Sequence, residues 1–386
     1  MGRAQEEGGK RSGEGMPEMK QLKELEPAVA GLDAAGRAAE YDFFFQWHLT
    51  ERCNLRCSHC YQDGSAKKDL SLREIKETIA EISETLESWA QTSGMRFAPS
   101  FNITGGEPFM RRDLMEVLQE FKGLSWPVYL LTNGTLINRD RARALAELGI
   151  IKGVQVSVEG PEEVHNLIRG KGALSQAMWG VKNLLDAGLA VTLNATLSDL
   201  NAGHIEEIVL LAQSVGVQRL GFARLVPSGR GAALLSRMLT PERIKSIYET
   251  LLSVNLDGLE IVTGDPLASL MKLSTDSSCG LPGGCSAGLF GLTIAADGTV
   301  TPCRRMPIPL GNVRKDSIRE IWADSPVLEA LRDKSRYKGK CATCAKWEGC
   351  RGCRAVAYAW SQRTGNGDFL SEDPQCFFES SSTITD

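Results

Sequence analysis

The chain has 386 residues, 42% hydrophobic and 24% charged, with a net charge of −4. That supports one large domain and a smaller one, and it gives no bulk attraction to nucleic acid or to an anionic membrane. No apolar run reaches the roughly 18 residues of a membrane span, and the opening Met1–Gly15, rich in Gly, Glu, Arg and Lys, lacks the apolar stretch of a secretory signal. The expectation is a cytoplasmic protein with no nucleic-acid or membrane partner.

In chain order, residues 1–40 read as a flexible leader, with a weakly amphipathic helix over Met16–Glu40. From Tyr41 strand-like and helix-like segments alternate. Expected strands are Phe43–Leu49, Phe101–Thr104, Val128–Leu131, Val154–Val158, Val191–Thr196 and Arg219–Phe222. Expected helices are Leu72–Trp89, Asp113–Phe121, Arg139–Leu148, Ser175–Ala187, His204–Val215 and Pro241–Leu252. Ser71 and Glu74 have the spacing of a capping box before the first helix, and Gly149, Gly188 and Gly216 stand where helices stop. About six βα units in this order predict an α/β fold with a parallel sheet and right-handed crossovers. A partial barrel and an open doubly wound sheet both fit, since six units fall short of a closed barrel. The core, residues 41–255, is expected to end where Gly, Pro and Cys rise. The module over residues 256–386 has too little periodic apolar sequence to order itself easily without metal.

Eleven cysteines are unevenly placed: three near the start, none from Ala66 to Ser278, and eight from Cys279 to Cys376. Without an export signal, clustered cysteines read as metal ligands before disulfides. Cys53, Cys57 and Cys60 form a C-x3-C-x2-C run at the end of the first expected strand. Three thiolates suit a cubane iron–sulfur cluster and leave one iron open, and an open metal position takes a ligand where a closed one only holds structure. The alternative is a zinc knuckle completed by His59, against which the spacing argues.

Further motifs stand at expected strand ends, where parallel α/β folds place their sites. Asn102-Ile-Thr-Gly-Gly-Glu-Pro108 carries a glycine pair that lets backbone approach a ligand, and Glu107 offers a carboxylate for an ammonium group. Thr132-Asn-Gly134 reads by itself as a plain turn. Val156-Ser-Val-Glu-Gly160 is followed by Arg169-Gly170.

The triad with Tyr61 directly after it, together with Gly105-Gly106-Glu107, resembles the radical S-adenosylmethionine (radical SAM) superfamily. The resemblance covers about residues 43–380. It implies a partial (β/α)6 barrel, a cluster on Cys53, Cys57 and Cys60, and SAM contacts from Tyr61, Gly105, Gly106, Glu107, Ser157, Arg169, Asn194 and Leu225. Glu159 stands where the family more often has Asp. The chemistry implied is reductive cleavage of SAM to a 5′-deoxyadenosyl radical that abstracts hydrogen from substrate, with electrons from a donor such as flavodoxin or ferredoxin. No catalytic acid or base is identifiable.

The C-terminal cysteines resemble the SPASM domain, which carries two auxiliary [4Fe–4S] clusters. Carried over by order, the first would take Cys279, Cys285, Cys303 and Cys353, and the second Cys341, Cys344, Cys350 and Cys376. The two-residue gap before Cys353 is shorter than the family's usual one. Two four-cysteine zinc sites are the alternative. SPASM proteins resemble maturases of ribosomally made peptides and of protein side chains. The sulfatase-maturing subgroup has an Asp after the Cys of the Gly-x4-Cys segment; here Arg304 and Arg305 follow Cys303, and Arg stays protonated and cannot be that base. The stretch Thr301–Asn312 is similar to a selenobiotic-type maturase subgroup. Arg304 and Arg305 fit equally an acidic peptide or solvent. The forty residues before the first strand are too few for a winged-helix leader grip, which implies a separate leader-binding protein or a leader site on the SPASM module. The competing readings are a radical SAM enzyme acting on a tetrapyrrole or quinone-cofactor precursor, and a non-catalytic metal-binding interaction protein.

Overall fold

The computed structural model describes residues 40–64, 68–273 and 284–379. The expected leader, its helix as far as residue 39, and Cys279 lie outside the described residues. Seven strands run parallel in sequential order: β1 (Glu40–His48), β2 (Arg96–Thr104), β3 (Val128–Thr132), β4 (Ile151–Ser157), β5 (Val191–Leu197), β6 (Arg219–Arg224) and β7 (Glu260–Val262). Helices connect them: α1 (Leu72–Ser93), α2 (Leu114–Gly123), α3 (Arg139–Leu148), α4 (Glu162–Arg169), α5 (Ala173–Asp186), α6 (Ile205–Val215) and α7 (Pro241–Ser253). The sheet does not close on itself, so it is a partial barrel.

Local chemistry explains most boundaries. Ser71 accepts from the Glu74 backbone N–H at 3.3 Å, and the Glu74 carboxylate accepts from the Ser71 N–H at 2.7 Å, which is the expected capping box. Gly94 ends α1 and Gly149 ends α3, each with positive φ. β2 begins five residues before its expected start at Phe101. Pro99 interrupts the strand pattern, but it lies where β2 pairs only with β1, and pairing to β3 starts at Phe101. The missing N–H therefore falls on a stretch with one partner strand, where proline is tolerated. Helix α4 was not expected; Pro161 followed by Glu162 and Glu163 was its start signal.

The sheet continues past the expected boundary near residue 255. β7 adds beyond β6, followed by α8 (Pro266–Leu273). On the other side, β8 (Gly291–Ile294) pairs parallel with β1, and β9 (Thr299–Thr301) and β10 (Gly311–Asn312) extend it antiparallel. The strand order is β10-β9-β8-β1-β2-β3-β4-β5-β6-β7. At Gly291 a Cβ would come within 1.9 Å of the Phe44 carbonyl oxygen, so only glycine fits this seam. Most of the described C-terminal module shares the core of the barrel, with a small separate cluster of Tyr337, Cys341 and Trp347. One buried apolar cluster runs from Tyr41 through Leu292 and Ile294 to Ala359. The remaining helices are α9 (Ile318–Asp324), α10 (Pro326–Arg332), α11 (Lys340–Thr343), α12 (Trp347–Cys350) and α13 (Arg354–Thr364). No helix among the described residues is long and apolar enough to cross a membrane.

Candidate metal and cofactor centre

Residues from the carboxyl ends of β1 to β6 line a single cavity of about 140 Å³. The loop after β1 brings Cys53, Cys57, Cys60 and Tyr61 to it, and β2 brings Gly105 and Gly106. Ser157, Asn194 and Arg169 line it too. Leu225, expected there, is 1% exposed and lies outside the walls; its neighbours Ala223, Arg224 and Val226 take the place.

The glycine pair meets backbone as well as cavity. Gly106 N donates to the Thr50 carbonyl at 2.7 Å, and Glu107 N to the Arg52 carbonyl at 2.9 Å. A Cβ on Gly106 would lie 2.4 Å from the Arg52 oxygen, and one on Gly105 2.5 Å from the Thr50 oxygen. The pair thus clamps the start of the triad loop. Glu107 follows the pair at the end of β2. It is fully buried, and its oxygens accept from Thr132 Oγ1 at 2.9 and 3.0 Å, from Asn133 N at 2.8 Å and from Phe109 N at 3.2 Å. Burial pushes its pKa up, and these donors oppose the rise. The carboxylate ties the end of β2 to the end of β3 and is not among the cavity walls.

Three supports of the triad loop were not legible beforehand. Asn133, in the apparent plain turn, donates to Asn54 Oδ1 at 2.9 Å and points Nδ2 at Cys53 Sγ, 3.9 Å away. The segment after β6 straps the loop: Gly231 N donates to the Cys60 carbonyl at 2.9 Å and Arg230 Nε to the Cys57 carbonyl at 3.2 Å. A Cβ on Gly229, at φ 54°, would lie 2.3 Å from the Tyr61 oxygen, and the Gly-Arg-Gly spacing was its only signal in the sequence. Glu159 is the third. Its carboxylate accepts from Arg169 Nη2 at 2.6 Å and from Thr196 N at 2.8 Å, with His59 Nε2 at 3.4 Å. Burial opposes its charge, but Arg169 and His59 overcome this and hold its carboxyl well below the usual carboxylate range.

The donor set fits a thiolate-held cluster. Leu55 N lies 3.4 Å from Cys53 Sγ, and Arg169 Nη1 lies 3.8 Å from Cys57 Sγ, so both sulfurs have donors that favour thiolate. Burial raises both thiols as they stand, with Arg169 opposing at Cys57, so ligation would release protons.

In the C-terminal module, Cys341, Cys344, Cys350 and Cys376 line one small pocket together. Gly352 N lies 3.3 Å from Cys350 Sγ and Arg354 Nη2 3.6 Å from Cys341 Sγ. Burial pushes Cys350 and Cys353 up to about 12. The backbone of Cys285 joins Cys350 at 3.0 Å, while Cys303 opens the turn carrying Arg304 and Arg305. Both arginines line the main cavity and do not simply face solvent. Every described cysteine is a free thiol, and among the described residues no three His, Cys, Asp or Glu side chains converge on a single ion.

The pattern of the radical SAM superfamily matches residues 47–212, and that of SPASM, an iron–sulfur cluster-binding domain, residues 285–353. The chain is 29% identical over 354 residues to an AdoMet-dependent heme synthase of Oleidesulfovibrio alaskensis, covering 86% of each protein. It is 30% identical over 326 residues to the mycofactocin maturase MftC of Mycobacterium ulcerans, covering 81% of this chain and 83% of that one. Among solved structures, Streptococcus suis SuiB bound to precursor peptide SuiA superposes with a TM-score of 0.67 at 17% identity, over 93% of this chain and 81% of that one. Native anSMEcpe with bound AdoMet and Cp18Cys peptide does so at 0.65 and 21%, over 86% and 93%. These two establish the fold. With the thiol triad at the mouth of a partial barrel and the clustered cysteines behind it, the chain belongs to the radical SAM superfamily as an iron–sulfur enzyme with a SPASM domain, whose cofactors are [4Fe–4S] clusters and SAM.

Proposed function

We propose that this enzyme modifies a side chain of a ribosomally made peptide or protein. Cys53, Cys57 and Cys60 hold the SAM-binding cluster; Cys341, Cys344, Cys350 and Cys376 hold one auxiliary cluster; and Cys279, Cys285, Cys303 and Cys353 hold the other. When bound, the first cluster and SAM together supply one-electron cleavage and a carbon radical that takes hydrogen from substrate. The chain's own residues do the rest. Gly105 and Gly106 position the triad loop, Ser157, Asn194 and Tyr61 present polar and aromatic surface to SAM, and Arg169, held by Glu159, faces the SAM carboxylate. Because Arg169 is already oriented by Glu159, less ordering is left for the moment of binding.

The observation that carries the reading is the shared cavity, into which the C-terminal module sends Arg304 and Arg305 beside the triad. A substrate in this cavity would meet both modules, and relatives of the chain include maturases. A second reading has its own support: the heme synthase of Oleidesulfovibrio alaskensis is covered over 86% of its length, and an arginine-lined cavity suits a tetrapyrrole's carboxylates as well. A flavodoxin or ferredoxin is the proposed donor, and a separate leader-binding protein the proposed partner. The test is anaerobic co-expression with any short peptide encoded beside the gene, followed by mass measurement. Loss of a hydrogen pair from the peptide supports the reading, whereas an unchanged peptide with a decarboxylated porphyrin would replace it by the second.

A further inference from the structure

Among the described residues, five arginines line the cavity and no aspartate or glutamate does. Two already have acidic partners: Arg169 pairs with Glu159, and Arg224 with Asp265 and Asp373. Arg230 directs its Nε to the Cys57 carbonyl. Arg304 and Arg305 differ. Arg304 lies over the Tyr61 ring, 5.8 Å from its centre. Arg305 donates one Nη to the Arg224 carbonyl at 3.2 Å, while its Nε is buried with no hydrogen-bond partner among the described residues. Cys353 and Cys303 act on the Arg305 charge, but neither sulfur reaches hydrogen-bond distance of that Nε; a buried guanidinium N–H left without an acceptor is costly, so its acceptor is expected from a ligand. The guanidinium fork matches a carboxylate in two-point fashion. Neither arginine belongs to the loops that surround the triad; both come from the turn after β9, which is free to differ between enzymes that share the core chemistry.

We propose that Arg304 and Arg305 are the substrate-recognition element of this enzyme and bind a carboxylate carried by the substrate near the carbon that loses hydrogen. The proposal deepens the function proposed above and rests on it only for the presence of a substrate in this cavity. The Tyr61 ring faces the Arg304 guanidinium, and the Arg224 carbonyl anchors Arg305. Arg224 is itself locked by two buried aspartates, so the pair is held in place before substrate arrives.

The test uses cluster-loaded, full-length protein and two pairs of probes. One is any short peptide encoded beside the gene, against the same peptide with its acidic side chains replaced by amides and its C-terminus amidated. The other is coproporphyrin III against its tetramethyl ester. For one pair, the unsubstituted protein is expected to bind the charged form about tenfold tighter than the neutral form. R304Q and R305Q should each remove most of that preference and leave affinity for the neutral form unchanged. Arg304→Lys should restore it in part, because it returns charge without the fork. The comparison of charged with neutral probe in the unsubstituted protein requires no variant to fold. A response to the peptide puts the carboxylate on the peptide. A response to the porphyrin removes the peptide reading and leaves the carboxylate element standing. The proposal is overturned if neither pair shows a preference for charge. It is equally overturned if the variants weaken charged and neutral probes alike, or if they change iron content and cluster spectra in place of substrate affinity.

Discussion

Glu159 shows at the scale of one residue how a buried charge is kept. Its carboxylate sits against Arg169 and His59 and accepts a backbone N–H from Thr196. His165 packs beside it, and its Nδ1 accepts from Glu159 N at 3.2 Å. Burial first, and the nearby Arg169 second, push the His165 pKa down to about 4. A histidine neutral in the fold but free to protonate when unfolded makes stability rise with pH. Its contribution is complete above the unfolded value of about 6.5 and is lost as pH falls toward 4. At about 1.4 kcal/mol per unit this amounts to a few kcal/mol. The Glu159 contribution has the same sign but is lost only below the ordinary carboxylate range. His165→Asn keeps an acceptor and does not titrate, so its thermal midpoint should fall less than the parent's between pH 6.5 and 4. Equal slopes would show that His165 is not the titrating group. At the triad, changing Cys53, Cys57 and Cys60 to Ala should abolish 5′-deoxyadenosine formation and remove one cluster's iron while the others stay. Gly106→Ala would press a Cβ to 2.4 Å from the Arg52 oxygen. Overpacking of this kind costs about 1–3 kcal/mol, and here it should also lower iron occupancy of the first cluster, read by metal analysis.

Between elements, the Arg224 contacts join the two modules. From the end of β6 it reaches Asp265 at 2.7 Å, before α8, and Asp373 at 2.7 Å, near the C-terminus. Asp373 also accepts from Cys353 N at 2.9 Å, so one buried network spans the barrel and an expected cluster ligand. Removing one partner of a buried pair costs about 3–5 kcal/mol because the other charge stays buried. Arg224→Met is therefore expected to lower stability by about that amount, measured by thermal unfolding, with Asp265 and Asp373 left unpaired. A change under about 1 kcal/mol would mean that solvent reaches the aspartates. By contrast, Ser71→Ala removes only the α1 cap and should cost about 1 kcal/mol. The cap was readable in the sequence because its partner is three residues away. The Arg224 network was not, because its acids are far along the chain and nothing local marks them.

Over the whole molecule, the β1–β8 pairing alters what truncation should do. A boundary near residue 255 suggests a core that survives alone, yet β8 covers the outer edge of β1, and β7 covers β6. A chain ending at residue 255 would expose both edges, together with the apolar cluster that Leu292 and Ile294 complete. It should aggregate and fail to hold even the first cluster; a soluble, iron-loaded fragment would refute this. The alternation of strands and helices, the capping box and the helix-ending glycines were all legible in sequence, because they rest on side-chain period and on neighbours a few residues apart. So was the iron–sulfur chemistry, because cysteine spacing within one loop is local information. The strand count was not, since β7 and β8 are three and four residues long and owe their strand character to partners. Glu107 was assigned a ligand by its motif, and only folding showed its oxygens already occupied by Thr132 and Asn133. What the sequence determined by itself was therefore the alternating βα units and the thiol donors. Which of the cavity arginines have acidic partners was decided by tertiary structure, because a partner can lie 10 positions away, as Glu159 does from Arg169, or 149, as Asp373 does from Arg224.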